Sequence, residues 1–350
     1  MRTLNSVLIL TLGALLGAAA TASAQVYPER IRSVTREVIE KARVTVYQRN
    51  QQREEQTDRS TRTLKIGATG ELYLGNISGD VTIARGGDGE ATVEIVKVAR
   101  GRTADEARQA MQLVQIDVAE RGTRAEINVR YPRSQERRER RNFNVSVSFT
   151  VTAPERTRLT VKSISGSIAV RDIKGDLSLD TISGNIRIGN AGRIPLAKTI
   201  SGNVEIADTN IEGTMDASTV SGTLLLRNLT ARRLDLNTVS GNVELQDVTC
   251  DRVDARSVSG NVNLSGELMR GGRYDLGSHS GQIRVLISGS VGFQLSATSF
   301  SGSIRTDLPL TVQGASRDGR RQQDVRGAYG DAGAVLDLSS FSGSIVIGKR

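Results

Sequence analysis

The chain has 350 residues, 37% of them hydrophobic, with 36 glycines, aromatics at 3% and no Trp. That composition excludes a chain too polar to bury a core and predicts an aliphatic one. The net charge of +9 favours attraction to anionic envelope polymers or lipid head groups, and the scarcity of aromatics leaves no stacking platform for nucleic acid.

Residues 1–24 read as an export signal. Arg2 supplies a thin positive start, Val7–Ala20 an apolar run, and Ala22-Ser23-Ala24 a small-residue cleavage motif, which places Gln25 at the mature start. The run is too short for a comfortable membrane span and nothing comparable follows. A periplasmic or cell-surface protein without a transmembrane segment is expected. Cys250 is the single cysteine, so no intramolecular disulfide can form; it falls in a turn region and is expected to be inert.

After the signal, Ile31, Val34, Val38 and Ala42 recur at helical spacing behind Pro28, which predicts a short amphipathic helix. Residues 48–63 are polar and nearly free of aliphatics, so 25–63 reads as helix plus linker. From Leu64 the period becomes two. Leu72, Leu74, Val81 and Ile83 flank Ser78-Gly79, and strands are predicted over Thr92–Ala99, Gln115–Ala119 and Ala125–Arg130. Thr103 and Glu106 form a capping-box pair before a helix carrying Ala107, Ala110, Met111 and Val114. Pro132–Arg141 is a charged loop with five Arg against two Glu. Residues 64–160 are therefore expected to be a β-rich cap.

From residue 161 the chain repeats. Ser-Gly pairs place glycines at Gly166, Gly184, Gly202, Gly222, Gly241, Gly260, Gly281, Gly302 and Gly343, with Gly79 as an early copy. A period near 20 residues predicts an all-β solenoid of 18–21-residue coils, each too small to bury a core alone. Two residues before the Ser is always Ser or Thr, one before is apolar except at His279, and three after is aliphatic. The pattern reads as a corner: a hydroxyl ladder, an apolar plug and a Gly that allows positive φ or close approach of the next coil. A gap of about two periods, holding the insertion 313–330, is expected to loop out of the rod.

Candidate chemistry is sparse. One His for nine repeated serines excludes a repeated Ser–His nucleophile; His279 and Ser280 point to opposite faces of a strand. Seven residues after the Ser lie Asp172, Asn190, Asp208, Asn228 and Asp247. They read as turn residues bonding their own backbone, with a hard-cation column through Asp172, Asp208 and Asp247 as the alternative. Arg137, Arg138, Arg140 and Arg141 are candidates for contacting anionic polymer. No catalytic residue and no cofactor is predicted.

The order "NISGDVTI", "TAPERTRLTVKSISGSIAV", tandem "TVSGNVEL" units and terminal "LSSFSGSIVIGKR" resembles the bacterial putative-adhesin domain family over about residues 64–350. The resemblance implies a β-solenoid and an exported or envelope-associated protein, and it carries over no catalytic residues. A non-enzymatic, adhesin-like surface or envelope binding module is expected, its partner an anionic envelope polymer or another envelope protein. A glycan-active β-helix enzyme and a structural or regulatory envelope component remain alternatives. Function is expected where the repeat breaks, at 133–141 and 313–330.

Overall fold

The computed structural model describes residues 54–132, 144–316 and 323–350. The predicted signal peptide, the helix after Pro28 and the arginines of the 133–141 loop lie outside the described residues. Strand β1 (Glu54–Lys65) pairs antiparallel with β4 (Glu90–Gly101) along its whole length. Residues 54–63, expected as linker, are thus an edge strand. Its side chains are largely exposed and only Leu64 is buried, so backbone pairing holds it, and its charges discourage a further strand from adding.

Between these strands lies a first coil, β2 (Glu71–Gly75) and β3 (Val81–Arg85), turning at Ser78-Gly79. Helix α1 (Ala104–Gln112) follows β4, with Thr103 Oγ1 accepting from the Glu106 N–H at 3.2 Å. The Glu106 carboxylate reaches back to the Arg102 N–H at 3.1 Å rather than to that of Thr103. Ala107 and Ala110 are buried. Strand β5 (Gln115–Arg121) makes a hairpin with β6 (Arg124–Arg130), and β7 (Val145–Ala153) follows. β6 lies parallel to β2 and β7 parallel to β3, so the cap closes the rod with a layer in coil register.

The coils come next: β8 (Arg158–Ser165) with β9 (Ile168–Arg171), β10 (Asp176–Ser183) with β11 (Ile186–Gly189), and β12 (Arg193–Ser201) with β13 (Val204–Asn210). Then β14 (Thr214–Ser221) leads into β15 (Leu224–Ser240) and β16 (Val243–Ser259), long strands that bend from one face to the next, and β17 (Val262–Glu267) completes the run. Pairing is parallel and in register. Thr181 lies beside Ser163 and Thr199, and Thr238 beside Thr219 and Ser257. Each aliphatic three residues after the Ser, from Ile168 to Ile283, is fully buried. Like stacks on like, because parallel in-register ladders set equivalent side chains one strand spacing apart.

At the far end, order in the chain and order in space part. β18 (Arg273–Ser280) and β19 (Ile283–Ser288) are followed by β20 (Phe293–Ser299) and β21 (Ile304–Thr306). The last coil, β24 (Ala334–Ser340) with β25 (Ile345–Lys349), inserts between these two. The insertion expected to loop out forms β22 (Thr311–Ser316) and β23 (Gln323–Tyr329), an antiparallel pair whose β23 seals β20. A chain that leaves the stack, covers the open edge and returns one layer earlier leaves only three residues of β21 as unpaired edge on the other face.

Candidate functional site

The Ser-Gly edge is built by three ladders that serve the backbone. A Cβ on Gly184, Gly202, Gly222, Gly241, Gly260 or Gly281 would fall within 3.0 Å of the carbonyl of the preceding Gly in the column. Gly166 meets Gly79 in the same way, Gly343 meets Gly281, and Gly302 meets Gly343. Close approach runs through the whole column, and positive φ adds to it at Gly79 (φ 113), Gly166 (φ 145), Gly184 (φ 158), Gly202 (φ 158) and Gly222 (φ 153). The hydroxyls two residues before the Ser are buried, and six of the nine donate to those glycine carbonyls, whereas Ser163, Thr238 and Ser340 do not. Thr199 bonds Gly184, Thr219 bonds Gly202, Ser257 bonds Gly241 and Ser278 bonds Gly260, at 2.9–3.0 Å. A third ladder follows the glycine and was not foreseen from the sequence. Asn185 Oδ1 accepts from the Asn203 N–H at 2.9 Å, Asn203 from Thr223, Asn242 from Asn261, and Asn261 from Gln282. The recurring Asn of "SGN" was its visible signal.

The apolar residue before each Ser is not a plug. Ile164, Ile182, Ile200, Val220, Val239, Val258, Phe341 and Phe300 are 42–51% exposed. Among the described residues ten large apolar side chains are exposed, and these are eight of them. The cause is alternation. Leu177, Leu179 and Thr181 face the core, so Ile182 must face out. With His279, which is also exposed, the column runs unbroken through nine rungs. His279 and Phe341 stack at 4.7 Å, and Phe341 and Phe300 at 4.9 Å, both nearly parallel. A groove of about 740 Å³ follows the strip from Val220 to Phe300, rimmed by Lys198 and Arg256. A contiguous exposed apolar strip on a folded protein marks an interaction surface.

Beside the strip, the outward face carries a row of in-register carboxylates: Asp216, Asp235, Asp254, Asp275 and Asp337. Arg233 grips both oxygens of Asp235, Arg256 bridges Asp254 and Asp275, and Arg273 bonds Asp337. The guanidiniums offset the repulsion that directly opposed like charges impose. Asp216 ends the row, and burial, then the Asp235 charge, holds its carboxyl above the usual range.

Asp172, Asn190, Asp208, Asn228 and Asp247 all adopt φ of 47–59°, the left-handed turn that Asx residues tolerate. Asn190 Nδ2 donates to Asp172 at 2.6 Å and Asn228 to Asp208 at 2.8 Å, while Arg350 bonds Asp247. One oxygen each of Asp172, Asp208 and Asp247 is thus engaged by an amide or a guanidinium. Among the described residues no cluster of three or more His, Cys, Asp and Glu is arranged to hold a metal. Cys250 is buried in the bend of β16, its thiol donating to the Arg252 carbonyl at 3.0 Å and pushed up to about 11 by burial.

An in-register parallel solenoid with glycine, hydroxyl and amide ladders along one edge defines a class of repeat protein. The chain belongs to the family described as Toastrack DUF4097, whose model matches residues 69–348. No curated protein matches it. Similar solved structures include a "putative adhesin" from Bacteroides fragilis, 15% identical, covering 83% of this chain and 97% of its own, with a TM-score of 0.39. A "putative lipid binding protein" from Parabacteroides distasonis is 13% identical, covering 83% and 96%, with a TM-score of 0.43. A "putative adhesin" from the same organism is 11% identical, covering 83% and 97%, with a TM-score of 0.42. Among the described residues no helix is long and apolar enough to cross a membrane.

Proposed function

We propose that the protein is an exported, non-enzymatic binding module of the adhesin-like kind, which engages another envelope protein through its Ser-Gly edge. The observation that carries this reading is the nine-rung strip of exposed aliphatic and aromatic side chains. Exposing such a column to water on every coil is unfavourable by roughly the transfer free energy of each half-covered side chain. Serine or threonine there would keep the fold and the solubility, so a repeated Ile, Val or Phe points to contact. The hydroxyls of the corner face inward and leave the strip free for a partner.

Isolated bacterial envelopes should co-sediment the purified protein. The triple variant Val220→Ser, Val239→Ser, Val258→Ser should remain in the supernatant with unchanged far-UV circular dichroism. Equal retention of the two proteins, or depolymerisation of acidic polysaccharides by the wild type, would overturn the reading.

A further inference from the structure

We infer that the partner engaged by the strip is a second copy of this chain, docked antiparallel about a two-fold axis through Val239. This rests on the reading of the strip as a binding surface. The strip is one residue wide, nine rungs long and has the pitch of a β-ladder, about 4.8 Å. An apolar partner that follows it rung for rung must be another ladder of that pitch, and an identical strip meets the requirement by construction. Nine half-exposed side chains with their flanks offer roughly the 800 Å² per partner of an ordinary stable interface.

Side-chain size chooses the orientation. The strip is graded, with Ile at one end, Val in the middle, and His279, Phe341 and Phe300 at the other. A parallel pair would set ring on ring at one end and Ile on Ile at the other, splaying the rods. The antiparallel pair sets Ile164 against Phe300 and Val220 against Val258, so both ends are equally thick, and Val239 meets its own copy. Charge agrees. The outward column beside the strip, two residues before it on each strand, carries charge at Lys162, Asp180, Lys198 and Arg256. The axis brings these opposite Thr298, Ser339, Gly277 and Ser218 in turn, so no like charges meet in this nearest column. One column further out it sets Asp235 towards its own copy and Asp216 towards Asp254, where Arg233 and Arg256 already bond Asp235 and Asp254. Closed two-fold pairing also uses up the strip and leaves no open-ended filament.

Light scattering behind size exclusion should give a dimer that dissociates on dilution, and the triple Val→Ser variant should be monomeric with the same melting temperature. Val239→Cys should form an intermolecular disulfide under mild oxidation, since Cys250 is buried and does not compete. Ile164→Cys should not cross-link to itself but should cross-link to Phe300→Cys when the two are mixed. Monomer at every workable concentration overturns the inference, as does self-cross-linking of Ile164→Cys matching that of Val239→Cys. A monomer that floats with phosphatidylglycerol vesicles in a strip-dependent way also overturns it. If the wild type is monomeric yet envelope retention is lost in the triple variant, the binding-module reading survives and the homotypic partner does not. A dimer without envelope retention gives the reverse.

Discussion

At the scale of single residues, the glycine column tolerates nothing larger. Gly241→Val or Gly260→Val pushes a side chain into the carbonyl of the neighbouring coil and is expected to lower stability by about 3 kcal/mol or more, seen as a drop in melting temperature. Asp216 behaves in the opposite sense. Its carboxyl is held above the usual range by burial and by Asp235, so the folded state resists ionising it. The stability it contributes is full below the unfolded pKa and diminishes as pH rises towards the folded one. Asp216→Asn should therefore melt higher than wild type at neutral pH, with the difference vanishing in acid. The Cys250 thiol, pushed up to about 11, should react with a disulfide reagent at pH 8 only as fast as the protein opens. The direction of the apolar column was available in the alternation of Leu177, Leu179 and Thr181. Hydrophobicity alone pointed inward; alternation in step with the buried Leu177 and Leu179 sends Thr181 in and Ile182 out.

At the scale of elements, period and column pattern were enough to read coils, corners and the capped helix, since each is a local property of about 20 residues. The strand over 54–65 was not legible. It has almost no buried side chains, and its partner lies 25 residues or more away along the chain. The place of β24 and β25 was hidden too, because a gap of about two periods fits a looped-out insertion and a return equally well. The return is pinned by Asp331, whose carboxylate accepts from the Gly292 N–H at 2.6 Å and from Arg270. These partners, Gly292 first, hold its pKa below the usual range. Stability from this group is present above the unfolded pKa and lost as pH falls through the folded one. Protection of the β20, β23 and β24 amides from hydrogen exchange, relative to the intrinsic rate at each pH, should fall in acid, and Asp331→Asn should show that lower protection at neutral pH.

At the scale of the whole molecule, the array behaves as a row of layers coupled to their neighbours. Deleting residues 185–202, one complete corner-to-corner period, should leave a folded protein with a shorter strip. Circular dichroism should keep its shape, whereas the two-fold axis would shift off Val239 and cross-linking at that position should fall. The far end obeys a different rule. Residues 334–349 are made after both coils that they separate. As the chain is made, the rod can assemble layer by layer only as far as β18 and β19. β20 and β21 must then wait, or settle transiently on the wrong neighbour, until the final strands arrive to take the vacant level. The layers up to β19 can propagate one at a time from the N-terminal cap, but this end closes in a single cooperative event, and a nascent chain arrested short of it would present a sticky, unfinished stack.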